Sequence, residues 1–264
     1  MHRLMCCIAA LAPCVLLAGC GGGGGSTTST LDNTLRLWQP GDEWTYSVTD
    51  TVNNGVETLP VSGSWKVTVS AQTVTTPTGV TARVVQETVT LRTAGSQEII
   101  ESKSYVVQDP DGTIWKYGGE DEDGVFWVTS PLDGRYVELA SPLGIAVSWG
   151  DQVETSNGLS FDSWEAVVAR ETVSVPAGRF ETYRATANAT VLGYPLSGTE
   201  WIAPQIGNSV KLAGTVSDPN EGITLSLTLS LVSRTRAEGA SDTVHPKGSL
   251  EEAIRSLWRQ RNSN

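Results

Sequence analysis

Between Ile223 and Leu231 the chain reads Ile-Thr-Leu-Ser-Leu-Thr-Leu-Ser-Leu, with a large aliphatic at every odd position and Ser or Thr at every even one. A side-chain period of two is the strand period, so this segment buries one face and wets the other. Trp44, Tyr46 and Val48 alternate with Thr45, Ser47 and Thr49 in the same way, and Trp65, Val67 and Val69 with Lys66, Thr68 and Ser70. From Trp38 to about Arg236 the sequence stays rich in Val and Thr, is punctuated by Gly, Pro and Asn-Gly, and contains no long helical period. These features predict one all-β domain over residues 34–236, a curved antiparallel sheet or half-barrel of about ten strands with a short C-terminal helix. A transmembrane barrel shares the period but needs many segments of ~10 residues with aromatic girdles, whereas most strands here carry charges on both faces.

Ahead of this region, an apolar run from Ile8 to Leu17 follows Arg3 and ends in Leu17-Ala18-Gly19-Cys20, then five glycines. The run is shorter than the ~20 residues that span a bilayer and has the layout of a secretory signal. Its end resembles the bacterial lipoprotein signal family. That resemblance implies removal of residues 1–19 by cleavage between Gly19 and Cys20, with acylation of Cys20. Cys6, Cys7 and Cys14 would leave with the signal, so Cys20 alone would survive, and acylation accounts for a lone thiol in an oxidising compartment. Gly21, not aspartate, follows the cysteine, which by the same resemblance implies the outer membrane of a Gram-negative host, with the protein on its periplasmic face. Residues 20–33 then form a Gly/Ser/Thr-rich tether.

Removing residues 1–19 takes away Arg3 alone among the charges, leaving 17 basic and 29 acidic residues, net −12. Such a body does not seek nucleic acid, and its membrane partner is expected to be reached through the N-terminal lipid rather than the protein surface. His2 leaves with the signal and only His245 remains. Catalytic sites built on histidine and the usual zinc sites therefore lack their material, which leaves carboxylate chemistry or an all-oxygen metal site. No residue pattern asks for a cofactor, no catalytic residue is assigned, and a non-enzymatic role is expected.

Ser64-Trp65 through Pro77 and Gly79 aligns without gaps with Ser163-Trp164 through Pro176 and Gly178. Gly41-Asp42 upstream of the first copy is echoed by Gly150-Asp151. This twofold internal repeat predicts two related hairpins, each with a tryptophan entering the core at the head of a strand.

The second copy runs into Val175-Pro-Ala-Gly-Arg-Phe180, and later comes Trp201-Ile-Ala-Pro-Gln-Ile-Gly-Asn-Ser-Val-Lys211. These stretches resemble a broad group of bacterial envelope β-proteins with V-P-A-G-x-F and W-x-A-P-x-x-G-x-V-K patterns, many of them lipoproteins of unassigned function. Some of that group are similar in fold to the LolA/LolB carriers, which implies a half-barrel with an apolar concave face. The resemblance carries no catalytic motif.

Eight of the nine tryptophans fall between Trp38 and Trp201, and they are expected to serve mainly as core, with an aromatic groove as the alternative. Glu120-Asp-Glu-Asp123 and Asp109-Pro-Asp111 could offer oxygens to calcium, but Ser130 stands where an EF-hand needs its bidentate acid, so a solvated hairpin tip is expected instead. Ser249-Leu-Glu-Glu252 forms a capping box ahead of an amphipathic helix. Its apolar face, with Leu250, Ile254, Leu257 and Trp258, is expected to pack on the chain's own sheet and fill the concave face, with partner binding or contact with the membrane as the alternatives, all within reach of a polar linker from residue 237. The function expected from all this is an envelope lipoprotein binding a hydrophobic ligand, or a lipidated or peptide partner, in a concave sheet face. The alternatives are a subunit docking an envelope protein through the C-terminal helix, and a carboxylate-dependent hydrolase.

Overall fold

The computed structural model describes residues 33–236, apart from 54–57, 94–95, 132, 192–193 and 219–221. Thirteen strands follow in chain order: β1 (Glu43–Asn53), β2 (Thr58–Thr75), β3 (Thr81–Thr93), β4 (Ser96–Gln108), β5 (Ile114–Asp121), β6 (Gly124–Ser130), β7 (Tyr136–Leu139), β8 (Ser148–Thr155), β9 (Ser160–Val175), β10 (Gly178–Val191), β11 (Tyr194–Ala203), β12 (Asn208–Asp218) and β13 (Ile223–Thr235). Every pairing between them is antiparallel.

The sheet closes on itself. Its order is β4-β3-β2-β1-β13-β12-β11-β10-β9-β8-β6-β5, and β5 pairs back onto β4, giving a ring of twelve strands. The thirteenth, β7, pairs with the first half of β5, while β6 takes the second half. It fills the wedge beside β8, where the Asp151 carboxylate accepts the Val137 N–H at 3.3 Å.

Two expectations are corrected here. The sheet is a closed barrel rather than a half-barrel, and it has more strands than about ten, because the chain from Ile114 to Thr155 contributes four short strands that alternation analysis does not resolve. Among the described residues there is no helix. The amphipathic segment with Leu250, Ile254, Leu257 and Trp258 lies outside the described residues, as do Gly19 and Cys20.

Leu225, Leu227, Leu229 and Leu231 of β13 face inward beside Trp44, Tyr46 and Val48 of β1, all of them buried in one continuous core. Thr224, Ser226, Thr228 and Ser230 face out. A membrane-spanning barrel needs an apolar band outside, whereas the outward residues of β13 are Ser and Thr.

The tryptophans are mostly core, as expected. Trp44 and Trp149 are buried, and Trp38, Trp65 and Trp201 pack against the same cluster. The repeat expectation holds for one copy only. Trp65 stacks inside on Tyr46, ring centroids 5.3 Å apart, whereas Trp164 is 44% exposed on the outer wall. In β9 the inward phase is carried by Phe161, Glu165 and Val167, one residue out of step with the first copy, and such a slip exchanges the two faces.

Leu229 is 2% exposed, so Leu229→Ala is expected to lower stability by about 2–5 kcal/mol. The outward Thr228→Ala is expected to change it by less than about 1 kcal/mol. Urea unfolding of both variants checks the assignment of faces; equal losses would contradict it.

Candidate functional site

Strands β1, β8, β10 and β12 begin at one mouth of the barrel, and β9, β11 and β13 end there, so the turns before and between them cluster at that mouth. Across it runs a strap, residues 33–38. Asn33 exchanges hydrogen bonds with Leu143: its carbonyl accepts the Leu143 N–H at 2.7 Å, and its side-chain amide donates to Leu143 O at 2.9 Å. The Leu35 N–H donates to Ser141 Oγ, and the Leu35 side chain, 1% exposed, plugs the core. Further along, the Arg36 N–H donates to Pro204 O at 2.9 Å, the Trp38 N–H to Gln108 Oε1 at 2.7 Å, and Trp38 Nε1 to Gly207 O at 2.6 Å.

Two glycines make room for this strap. A Cβ on Gly112 would lie 2.7 Å from Leu35 O, and one on Gly207 would lie 2.5 Å from Arg36 O. Both also hold positive φ, 96° and 73°, a region that disfavours any residue with a Cβ. The motif Trp201-x-x-Pro204-x-x-Gly207 is thus the seat of the strap, with Ile202, Ala203, Ile206 and Val210 anchoring it fully buried beneath. Trp201 Nε1 donates to Glu171 Oε1 at 2.6 Å, and the Lys211 ammonium sits 4.7 Å over the Trp201 ring.

Beside the strap lies a cavity of about 160 Å³ lined by Arg36, Trp44, Gln205, Arg234, Thr235 and Arg236. Asp42, fully buried, holds Arg36 in place by a 2.8 Å ion pair and also accepts the Gln39 N–H.

Deeper inside, carboxylates occupy inward positions. Glu200 is 4% exposed and Glu165 2%. The Ser209 hydroxyl donates to Glu200 Oε1, and the Tyr46 hydroxyl donates to Ser209 O at 2.8 Å. Glu200 Oε2 and Glu165 Oε2 have no hydrogen-bond partner among the described residues. Burial pushes the Glu200 carboxyl up to about 7, against the Ser209 hydrogen bond that pulls it down. Burial and then the Glu200 and Glu138 charges raise Glu165 well above the usual carboxylate range, and the neighbouring Trp149 indole offsets this in part. Glu138 is also raised by burial, with the Lys116 ammonium 4.0 Å away drawing it partway back. Glu87 accepts the Ser104 hydroxyl at 2.9 Å. Lower in β1, burial raises Asp50 to about 7. A protonated acid is what such a site favours, since an ionised one would lack both water and counter-charge.

These inward acids were not singled out from the sequence, yet the signal was present. Asp50 continues the phase of Trp44, Tyr46 and Val48, and Glu200 shares that of Leu196 and Ile202, so each is a charge on an apolar face. The acidic stretch Glu120–Asp123 is a hairpin tip as expected, with Glu122 and Asp123 exposed between β5 and β6 and Glu120 paired to Lys103 at 2.8 Å. Asp109 and Asp111 form the turn under Leu35 instead: Asp109 Oδ2 accepts Trp115 Nε1 and Asp111 Oδ1 accepts the Thr113 N–H. Among the described residues no group of three or more acids, histidines or cysteines is placed to hold a metal.

No known protein family matches the chain, and no curated protein does. Among solved structures, a candidate exported protein with a YmcC-like fold from Bacteroides fragilis aligns with a TM-score of 0.40 at 13% identity, covering 77% of this chain and 99% of that one. A candidate lipoprotein from Parabacteroides distasonis aligns with a TM-score of 0.38 at 12% identity, covering 79% and 100%. Likeness this distant carries no inference about function, which has to rest on this chain's own residues.

Because Glu200 and Asp50 keep their protons to about pH 7 in the folded state while ordinary carboxyls ionise near pH 4, the folded state binds more protons between those values. Stability is therefore expected to be highest near pH 4.5 and to fall as pH rises to about 7, with Glu200 supplying on the order of 3 kcal/mol of the fall. Glu200→Gln should flatten this profile. Urea unfolding across pH 4.5–8 checks it, and an unaltered slope in the variant would contradict the assignment.

Proposed function

We propose that this chain is a non-enzymatic lipoprotein of the bacterial envelope, held by acylated Cys20 at the periplasmic face of the outer membrane, and that it binds its ligand or partner at the strapped mouth. The observation that carries this reading is the strap itself. The chain enters the barrel at Asn33, against Leu143, on the same mouth as the arginine-lined cavity. The Gly/Ser/Thr-rich composition between Cys20 and Asn33 is that of a linker with a reach of about 20 Å, which supports a mouth facing the membrane.

The closed wall and the self-packed interior offer no open concave face among the described residues, which supports the mouth as the binding surface. Leu229, Leu231, Trp44 and Val48 fill the space that an acyl chain would take in an open half-barrel. The hydrolase alternative loses ground for a related reason: Glu165 and Glu200 are too deeply buried to touch a substrate. The interaction-subunit alternative keeps support from one fact. Arg236, the last described residue, stands at the same mouth, and the sequence that carries Leu250, Ile254, Leu257 and Trp258 follows it in the chain.

Metabolic labelling with a radioactive or clickable palmitate, followed by membrane fractionation, tests the anchor. The wild-type chain is expected to take the label and sediment with outer membranes, and Cys20→Ser to lose both properties. A soluble, unlabelled wild type would overturn the reading.

A further inference from the structure

Along β13 the odd residues face inward as far as Leu231, which would send Arg234 and Arg236 out into solvent. A bulge prevents this. Leu231 pairs with Tyr46 and Ser233 with Thr45, so Val232 has no partner on β1 and bulges outward, 42% exposed. Beyond it the alternation is reversed, and Arg234 pairs with Trp44, an inward residue 1% exposed. One inserted residue thus puts Arg234 on the inward side at the mouth, where Arg236, just beyond the strand, also lines the cavity.

Arg234 and Arg236 meet Arg36 around the cavity of about 160 Å³, with Trp44, Gln205 and Thr235 completing it. No acidic residue lines it, in a chain with 29 acids and 18 bases. The Asp42 carboxylate fixes one edge of the Arg36 guanidinium at Nη2, while Arg36 Nε is buried without a hydrogen-bond partner. No ion pair to Arg234 or Arg236 occurs among the described residues. The nearest acid on the facing strand, Glu43, is engaged by Lys66 at 2.6 Å. Three guanidinium groups against one carboxylate, Asp42, leave a net positive charge here that suits an anion. Guanidinium groups suit phosphate, which they engage through paired N–H donors. The volume is below the ~300–1,000 Å³ of sites that enclose a drug-sized ligand, so it fits an anionic group and not a whole molecule.

We propose that the strapped mouth is a phosphate-binding site formed by Arg36, Arg234 and Arg236, taking the phosphate of an anionic lipid headgroup or of a free phosphate compound. It deepens the function proposed above, on which it rests only for its orientation toward a membrane. Where the mouth meets the bilayer, it gives an otherwise acidic body one local point of attraction to headgroups that its net charge would repel.

The test uses the chain from residue 20 onward with Cys20→Ser, so that acylation plays no part; the barrel is closed by residues 33–236 alone. Calorimetric titration with inorganic phosphate forms one arm. Flotation with vesicles of phosphatidylcholine, alone or mixed with phosphatidylglycerol, forms the other. Binding in either arm that weakens about tenfold or more in Arg234→Gln/Arg236→Gln supports the site. Response in the vesicle arm alone identifies a headgroup, and response to both identifies phosphate in general. Both substituted residues are exposed, so the variant keeps its fold, which near-ultraviolet circular dichroism verifies. Absence of binding in both arms, or equal binding by the variant, overturns the proposal. Neither result depends on whether Cys20 is acylated in the cell, so failure of the anchor and failure of this site are separately visible.

Discussion

Closure of the sheet is the constraint from which the other features follow. An open sheet of this length would leave two edges of unpaired N–H and C=O groups, each a template for association with another chain. Pairing β5 to β4 on one side and to β6 and β7 on the other removes those edges. It also takes water away from the inward faces, and the same step that buries Leu229 and Trp44 buries Glu165 and Glu200. The raised affinity of those acids for protons is thus a consequence of wall closure, and the Tyr46–Ser209–Glu200 chain satisfies only part of the polarity left inside.

A barrel still has two mouths, and the near one is closed by chain rather than by sheet. The strap has no ladder to join, so its backbone groups find partners one by one in Pro204, Gln108, Ser141 and Leu143. Gly112 and Gly207 let its backbone approach closely. Fold and location are coupled at this point, because the residues that seal the core directly follow those proposed to reach the membrane. The bulge at Val232 acts on the same mouth from the other terminus of the domain and turns the end of an apolar strand into a cationic rim.

Much of this was legible in the sequence, and the limits are physical. Alternation identified β1, β2 and β13 with their correct faces, because a period of two survives wherever one side is dry. It did not reveal closure, which depends on the pairing of β5 with β4 and of β6 with β8, where β5, β6 and β8 are short and their patterns weak. The gapless match of Trp65 to Trp164 was real as sequence but misleading as geometry, since one residue of phase separates an inner wall from an outer one. The Trp201-to-Lys211 motif was readable as turn and core, while its role as the seat of a strap 169 residues away in sequence needed coordinates. The arginine rim was hidden for the same reason: without the bulge, counting along β13 places Arg234 outside.

On this structure the strap, residues 33–38, is an integral closure of the barrel and not a continuation of the linker. Native-state hydrogen exchange at the Arg36 and Trp38 amides, followed by mass spectrometry or NMR, addresses it most directly. If the strap closes the mouth, these two amides exchange as slowly as those of the adjoining ends of β11 and β12 and are released together with them. Exchange at the rate of an unstructured chain, with β11 and β12 still protected, would contradict the account.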